Sequence, residues 1–303
     1  MTGPGTEPTA PLAGLLTAAA TAWLAAACAA AGDPAAVLRA FPAVGRRLGR
    51  GPLPPPESGP APAPLPPPAA RTPPAPREPS TADADADAGA GAVSPAPVDV
   101  HRWTVDDAGR VRLLLAAAAA LDPTELAGLL DRLYVHGDAA ERRGVLRALD
   151  LLPLADEGAV LVRDALRTND LRLVAAALAG GYAARVLSAA EFDQAVLKCL
   201  FVGVPLAGVT ALPARVSPRL ARMVADFARE RVAAGRDVPA DVWLVLDRQP
   251  DAIGAAGLLD ELESAVPARR AAAVRFLAGR TRAGRPLGGR PVASGSRPAA
   301  EEG

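Results

Sequence analysis

Residues 122–154 read DPTELAGLLDRLYVHGDAAERRGVLRALDLLPL, and two helix starts are written into them. Asp122-Pro123-Thr124-Glu125 is a capping box. The aspartate accepts from free N–H groups of the first turn, the glutamate reaches back to the cap, and proline fills the first helical position. Leu121 and Leu126 are spaced as a hydrophobic staple across that start. Asp138 and Glu141 repeat the box before RRGVLRALDLLPL, with Tyr134 and His136 read as part of the connection that precedes it.

Working outward, the same signals recur. Thr104 is placed to cap VDDAGRVRLLL. Asn169 or Asp170 caps LRLVAAALAG. Ser188 and Glu191 form a further box, with Leu187 and Phe192 as its staple. Ser217-Pro218 opens RLARMVADFARERVAAG, which ends at Gly235. Nothing reads as strands at regular spacing. Several of the helices are short, lie three to six residues apart and are apolar on more than one side. Such a helix cannot bury two faces alone, so neighbours must stack on both sides. The expected fold class is all-α, either an irregular helical array of the HEAT type or a compact helical bundle.

The flanks differ from this core. Residues 52–99 hold half of the chain's 32 prolines, include the stretch TADADADAGAGA (81–92), and contain too few large apolar side chains to offset their ordering entropy. From Arg269 to Arg297 the chain is basic with no acid. Residues 12–31, LAGLLTAAATAWLAAACAAA, carry no charge over a membrane-spanning length, but no Lys or Arg precedes them and alanine dominates. Asp33-Pro34 then reads as a cap and first helical residue. The stretch is read as buried helices, with Cys28 a small buried residue. The expected organisation is a disordered N-terminus (1–11), N-terminal helices packing on the core (12–51), a disordered Pro/Ala-rich insert (52–99), a helical core (100–248), an additional helix pair (249–280) and a disordered tail (281–303).

Composition excludes more than it identifies. The 303 residues carry a formal net charge of zero and only 3% aromatic residues. That argues against bulk electrostatic binding of nucleic acid and against stacking platforms for bases. Two cysteines rule out a disulfide scaffold, and no spacing of Cys or His suggests zinc. Dinucleotide, Walker and nucleophile-elbow motifs are absent, so no cofactor is expected.

Three polar groupings remain. The first is Arg167, Thr168 and Asn169 at a helix end, where a cation is favoured by the helix dipole. The second is Gln194 and Lys198, which share a helix face at i,i+4, while the adjacent Asp193 points elsewhere. Lys198 is the only lysine in the chain and is flanked by apolar residues; one reading makes it a partly buried amine, and the preferred one has it snorkel out or pair with an acid, while Cys199 reads as core. The third is Asp226 and Glu230 on one face of a long helix, where Arg222, Arg229 and Arg231 point to an ion-pair ladder rather than a metal pair.

One resemblance covers much of the chain. FDQAVLKCLFVG (192–203), RLARMVADFARERVAAGRDVPADVWLVL (219–246), DALRTND (164–170), GYAA (181–184) and WTVDDAGRVRLLL (103–115) resemble the EboA family. Trp23-Leu24 and RAFPAVGRRLGRGPL (39–53) fit the same pattern, so the resemblance spans roughly 12–53 and 101–248. It implies that Arg167, Thr168 and Asn169 stand for the family's Arg-Thr-Asn element, and Gln194 and Lys198 for its Gln and Lys. Tyr182 falls in the Tyr-Ala-Ala element, but Gly180-Gly181 precede it where the family commonly has Asn-Pro. Phe192-Asp193 replace Trp-Asn, and Arg229 stands for a histidine. The resemblance further implies a gene cluster with a prenyltransferase, a metal hydrolase and cyclitol- and sugar-processing enzymes, associated with making or moving a prenylated metabolite. It brings no assigned reaction.

Two functions follow as expectations. One is a cytoplasmic, non-catalytic helical accessory protein binding a partner enzyme of the cluster or a lipid-like intermediate, with no nucleic acid and at most peripheral membrane association. The other is an enzyme acting on a cyclitol or isoprenoid-linked intermediate. It requires Arg167, Asn169, Gln194 and Lys198 to converge on one pocket.

Overall fold

The computed structural model describes residues 12, 14–53 and 102–282. The expectations of disorder for 1–11, for nearly all of 52–99 and for the tail lie outside the described residues.

The capping signals become helix starts where the sequence places them. α1 (Ala18–Ala29), α2 (Pro34–Ala40, capped by Asp33) and α3 (Val44–Leu48) precede the insert. α4 (Val105–Ala118) opens at Thr104, whose backbone N–H donates to Asp107. α5 (Pro123–His136) and α6 (Ala139–Ala148) carry the Asp122–Glu125 and Asp138–Glu141 boxes. α7 (Ala159–Arg167), α8 (Leu171–Leu178, capped by Asp170), α9 (Gly181–Val186) and α10 (Ala189–Val202, with the Ser188–Glu191 box) follow. α11 (Leu212–Arg215), α12 (Pro218–Ala233), α13 (Trp243–Leu246), α14 (Asp251–Ala255) and α15 (Pro267–Arg282) complete the order. Pro267 is the first residue of α15, and a short 3₁₀ turn, Asp260–Glu263, separates it from α14. Among the described residues the only β pairing is a lone bridge between Pro52 and Thr104.

The fold is all-α. α4 stacks on α6 and α6 on α8, while α5 lies against α6 and α7 against α8. This is the packing order of a helical array. α1 and α3 lean on the other side of α4, and α12 gathers α10, α13, α14 and α15. A continuous apolar core runs from Phe41 and Val44 through Leu113, Leu129, Val174 and Val196 to Val224, Trp243 and Phe276.

Three local expectations need correction. Tyr134 and His136 belong to α5, not to a connection, because Leu126, Leu129, Leu130, Leu133 and Tyr134 form one buried stripe that carries the helix up to Gly137. α1 is not buried all round: it buries Ala20 and Leu24, so its apolar content serves one stripe against α4. Cys28 is half-buried, its Sγ 4.0 Å from the Arg112 carbonyl, and burial raises its thiol pKa. No helix among the described residues is long and apolar enough to cross a membrane.

The α4–α6 contact contains a feature that sequence reading missed. Asp106 and Asp107, on the first turn of α4, are buried with Arg110, Arg143 and Arg147. Arg110 Nη1 meets Asp106 at 2.6 Å; Arg143 Nε meets Asp107 at 2.8 Å, and Arg147 Nε lies 3.4 Å from the same carboxylate. Burial alone would raise the Asp106 pKa, but hydrogen bonds from Thr104 and Arg110, with the charges of Arg110 and Arg143, hold it below the usual carboxylate range. The two helices come this close because Gly144 faces Arg110. A Cβ at Gly144 would lie 2.7 Å from Arg110 Cδ and 3.0 Å from its Cβ. Gly144→Ala is therefore expected to lower stability by about 1–3 kcal/mol through overpacking, against the gain of about 1 kcal/mol that helix propensity alone assigns to the change. Urea unfolding reads the sign directly, and a stabilised variant would contradict this packing.

Candidate functional site

An open groove of about 480 Å³ lies between α7 and α10. Arg163 and Arg167 stand one turn apart on α7, with Leu166 beside them. Glu191, Gln194 and Lys198, at i, i+3 and i+7, present one face of α10. Leu187, Ala190, Ala195 and Leu166 supply an apolar floor.

The capping box of α10 builds one wall. The Glu191 carboxylate accepts from the Ser188 backbone N–H at 2.9 Å and from the Ser188 hydroxyl at 2.9 Å. Its other oxygen takes a 2.7 Å hydrogen bond from Arg163 Nε across the groove. The bond from Arg163, then those from Ser188, bring the Glu191 pKa down to about 2, and the same contact raises that of Arg163. Glu191 and Arg163 thus cancel each other as a fixed ion pair. Arg167 and Lys198 are left as two positive charges over the apolar floor, with Gln194 between them as a neutral donor and acceptor.

Of the residues expected from sequence, the structure brings Arg167, Gln194 and Lys198 to one groove. Arg167 and Gln194 are exposed and Lys198 half-buried. Thr168 closes the C-terminus of α7, its hydroxyl donating to the Ala165 carbonyl at 2.9 Å. Asn169 is exposed and does not line the groove; Asp170 takes the capping role by accepting from Arg172 and Leu173. The four-residue convergence that the enzyme reading requires is therefore three residues, because the chain must turn at Asn169 to begin α8.

Tyr182 is buried elsewhere, beside a smaller cavity of about 160 Å³ shared with Trp103, Arg147 and Asp150. Its phenolic oxygen accepts from the Gly158 backbone N–H at 2.9 Å, and Arg185 covers its ring at 4.9 Å. Gly180 leaves room there for Asp150, whose Cβ a side chain at 180 would meet at 2.8 Å.

Asp226 and Glu230 are exposed on α12, outside the groove. Among the described residues the expected ladder does not form. Arg231 instead donates to the Asp237 carbonyl at 2.6 Å, and Arg219 pairs with the buried Asp193 of α10 at 3.5 Å. Burial raises the Asp193 pKa, offset by Arg219 and Arg215. Cys199 sits beside Lys198 but points into the core, where burial pushes its thiol up to about 12 and removes it as a nucleophile. No group of three or more metal-ligating side chains exists among the described residues.

Sequence reasoning left Arg163 and Glu191 out of the candidate site, Glu191 because the capping box gave it a sufficient local role. The signal was present in spacing: 163 and 167 at i,i+4, and 191, 194 and 198 on one helical face.

The all-α array thus carries an open groove with apolar lining and an excess of two positive charges among its lining residues. The chain belongs to the family described as metabolite traffic protein EboA, whose model matches residues 86–247, more than half of its length. Neither the curated proteins nor the solved structures give a match.

The Arg163–Glu191 pair yields a pH prediction. A carboxyl whose folded pKa lies below its unfolded value near 4.3 contributes stability above that value. The contribution is lost as pH falls from there toward about 2. In Arg163→Met, an NMR titration of the Glu191 carboxyl should show its midpoint moving up toward the ordinary range. A midpoint unchanged by the substitution would show that Arg163 does not hold it down.

Proposed function

We propose that this chain is a non-catalytic accessory protein of a prenylated-metabolite pathway, and that it holds a lipid-like anionic intermediate in the α7–α10 groove. The carrying observation is that two cations, Arg167 and Lys198, which pair with no carboxylate among the described residues, share one open groove of about 480 Å³ with apolar lining. The cations suit a phosphate or carboxylate head group, and Leu166, Leu187, Ala190 and Ala195 suit the hydrocarbon that follows it. The family's description as a metabolite traffic protein supports a role in handling a small molecule. An open groove leaves part of such a ligand accessible, which fits transfer to or from a partner enzyme of the same gene cluster on the cytoplasmic side.

A second reading, an enzyme acting on a cyclitol or isoprenoid-linked intermediate, is favoured by the convergence of Arg167, Gln194 and Lys198. It is weakened by the position of Asn169 and by the locking of Glu191 in an ion pair.

Calorimetric titration of the full chain with farnesyl diphosphate as the probe tests the binding reading. The double charge reversal Arg167→Glu/Lys198→Glu should weaken binding at least about tenfold, the equivalent of about 1.4 kcal/mol. The variant should stay folded with only a small drop in its thermal transition, since Arg167 is exposed but ends α7, where a cation is favoured, and Lys198 is half-buried. Equal affinity in the variant, or no binding by the wild type, would refute the groove as the site. Turnover of the probe would favour the enzyme reading.

A further inference from the structure

The cavity beside Tyr182 differs from the α7–α10 groove in size and in charge. Its volume is about 160 Å³. Leu146 of α6, Val162 of α7 and Ala177 of α8 line it, and Trp103 and Tyr182 add two aromatic side chains. A cavity of about 150 Å³ with aliphatic walls is large enough to take benzene. Apolar walls favour hydrocarbon over water, so the body of a fitting ligand is a single ring or a short branched chain.

Two charged residues share the lining, and only one of them is engaged. Arg147 donates through Nη2 to the Arg102 carbonyl at 2.9 Å, places Nε 3.4 Å from Asp107, and covers the Trp103 ring at 4.9 Å. Asp150, just past the end of α6, is exposed, and its carboxylate rests against Gly180 and Gly181 at the start of α9. It takes part in no hydrogen bond or ion pair among the described residues. The Tyr182 oxygen, by contrast, already accepts from the Gly158 N–H.

These facts select the polar end of a ligand. Arg147 and Asp150 offset each other, so the lining carries no net charge. An anion would be repelled by Asp150 and a cation by Arg147, and a charge taken from water without a matching partner is costly. A neutral hydroxyl meets neither penalty, and its hydrogen bond to a carboxylate is stronger than one to a neutral acceptor.

We infer that the cavity lined by Trp103 and Tyr182 is a binding site for a small uncharged molecule, one ring in size, whose hydroxyl donates to the Asp150 carboxylate. The site is separate from the α7–α10 groove and does not rest on the function proposed for it. Its lining is drawn from α6, α7, α8, α9 and the approach to α4, so an occupant stabilises that part of the array by mass action.

The test titrates the full chain with phenol as the probe and reads the indole N–H signal of Trp103 by two-dimensional NMR. Toluene serves as the isostere without a donor. The Trp103 signal should shift to saturation with phenol, and toluene should bind at least about tenfold more weakly, or about 1.4 kcal/mol. Toluene is the more hydrophobic of the two, so simple partition would give the opposite order. Asp150→Ala changes an exposed side chain, should fold normally, and should bring phenol down to the affinity of toluene. Ala177→Leu fills the cavity and should abolish the response. Intermolecular NOEs from bound phenol to the Trp103 and Tyr182 rings place the ligand in the wild type, whether or not that variant folds. Arg167→Glu/Lys198→Glu should leave phenol binding intact. Absence of a saturable shift in the wild type, or NOEs to the α7–α10 groove instead, would overturn the site. Toluene binding as tightly as phenol, or an unchanged phenol affinity in Asp150→Ala, would overturn the hydroxyl assignment.

Discussion

Two adjacent aspartates at the start of α4 hold three arginines inside the protein, and the array is arranged around that contact. Charges are costly to bury, and in the interior they persist only when paired and hydrogen-bonded. Asp107 meets both Arg143 and Arg147 from α6, one turn apart, so it fixes the rotation and register of α6 against α4. An apolar contact of the same area would tolerate a slide of one turn; a buried ion pair does not. The network also reaches outward. Arg147 lies over the Trp103 ring at 4.9 Å and donates to the Arg102 carbonyl at 2.9 Å, tying down the strand-like approach to α4. That approach in turn pairs with the chain leaving α3, through Leu53 to Trp103 and Val105 to Gly51. Residues 51–53 and 102–105 are therefore joined beside the buried charges.

The groove stands two helices away from this anchor. α6 is stacked on α8, and α8 carries α7, whose arginines line one wall. The Arg163–Glu191 bridge then ties α7 to the first turn of α10. A single carboxylate thus closes a helix start, spans the groove and neutralises one of its cations, while Arg167 and Lys198 pair with no carboxylate among the described residues. The interior pair imposes geometry, whereas the half-exposed bridge shapes charge in a place open to solvent.

Much of the fold was legible because capping is local. Asp122 with Glu125, Asp138 with Glu141, and Ser188 with Glu191 each state a helix start within four residues, and each start is realised. The end of α5 was not legible in the same way: Tyr134 and His136 look like a polar exit, and only the burial of Tyr134 against neighbouring helices, with its hydroxyl donating to Asp164 at 3.1 Å, keeps them helical. The buried network was hidden for a related reason. Acids on a first helical turn ordinarily face water and the helix dipole. The partners that bury Asp107 come from residues 143 and 147, a distance in sequence that no local pattern spans. Arg167, Gln194 and Lys198 could be singled out by spacing and family resemblance, but their common groove depends on how α7 and α10 are set by the helices between them. Asn169 shows the limit of motif reading. It adjoins Arg167 in sequence, yet the turn into α8 takes it away from the site.

The Asp107 pairing sets the position of α6 on α4. Urea unfolding of Asp107→Asn, a nearly isosteric change, tests it most directly. Removing the charge leaves two buried guanidinium groups without their shared carboxylate, and the expected loss is about 3–5 kcal/mol. A loss below about 1 kcal/mol would place the cluster among the near-neutral ion pairs and contradict its role as the anchor of the array.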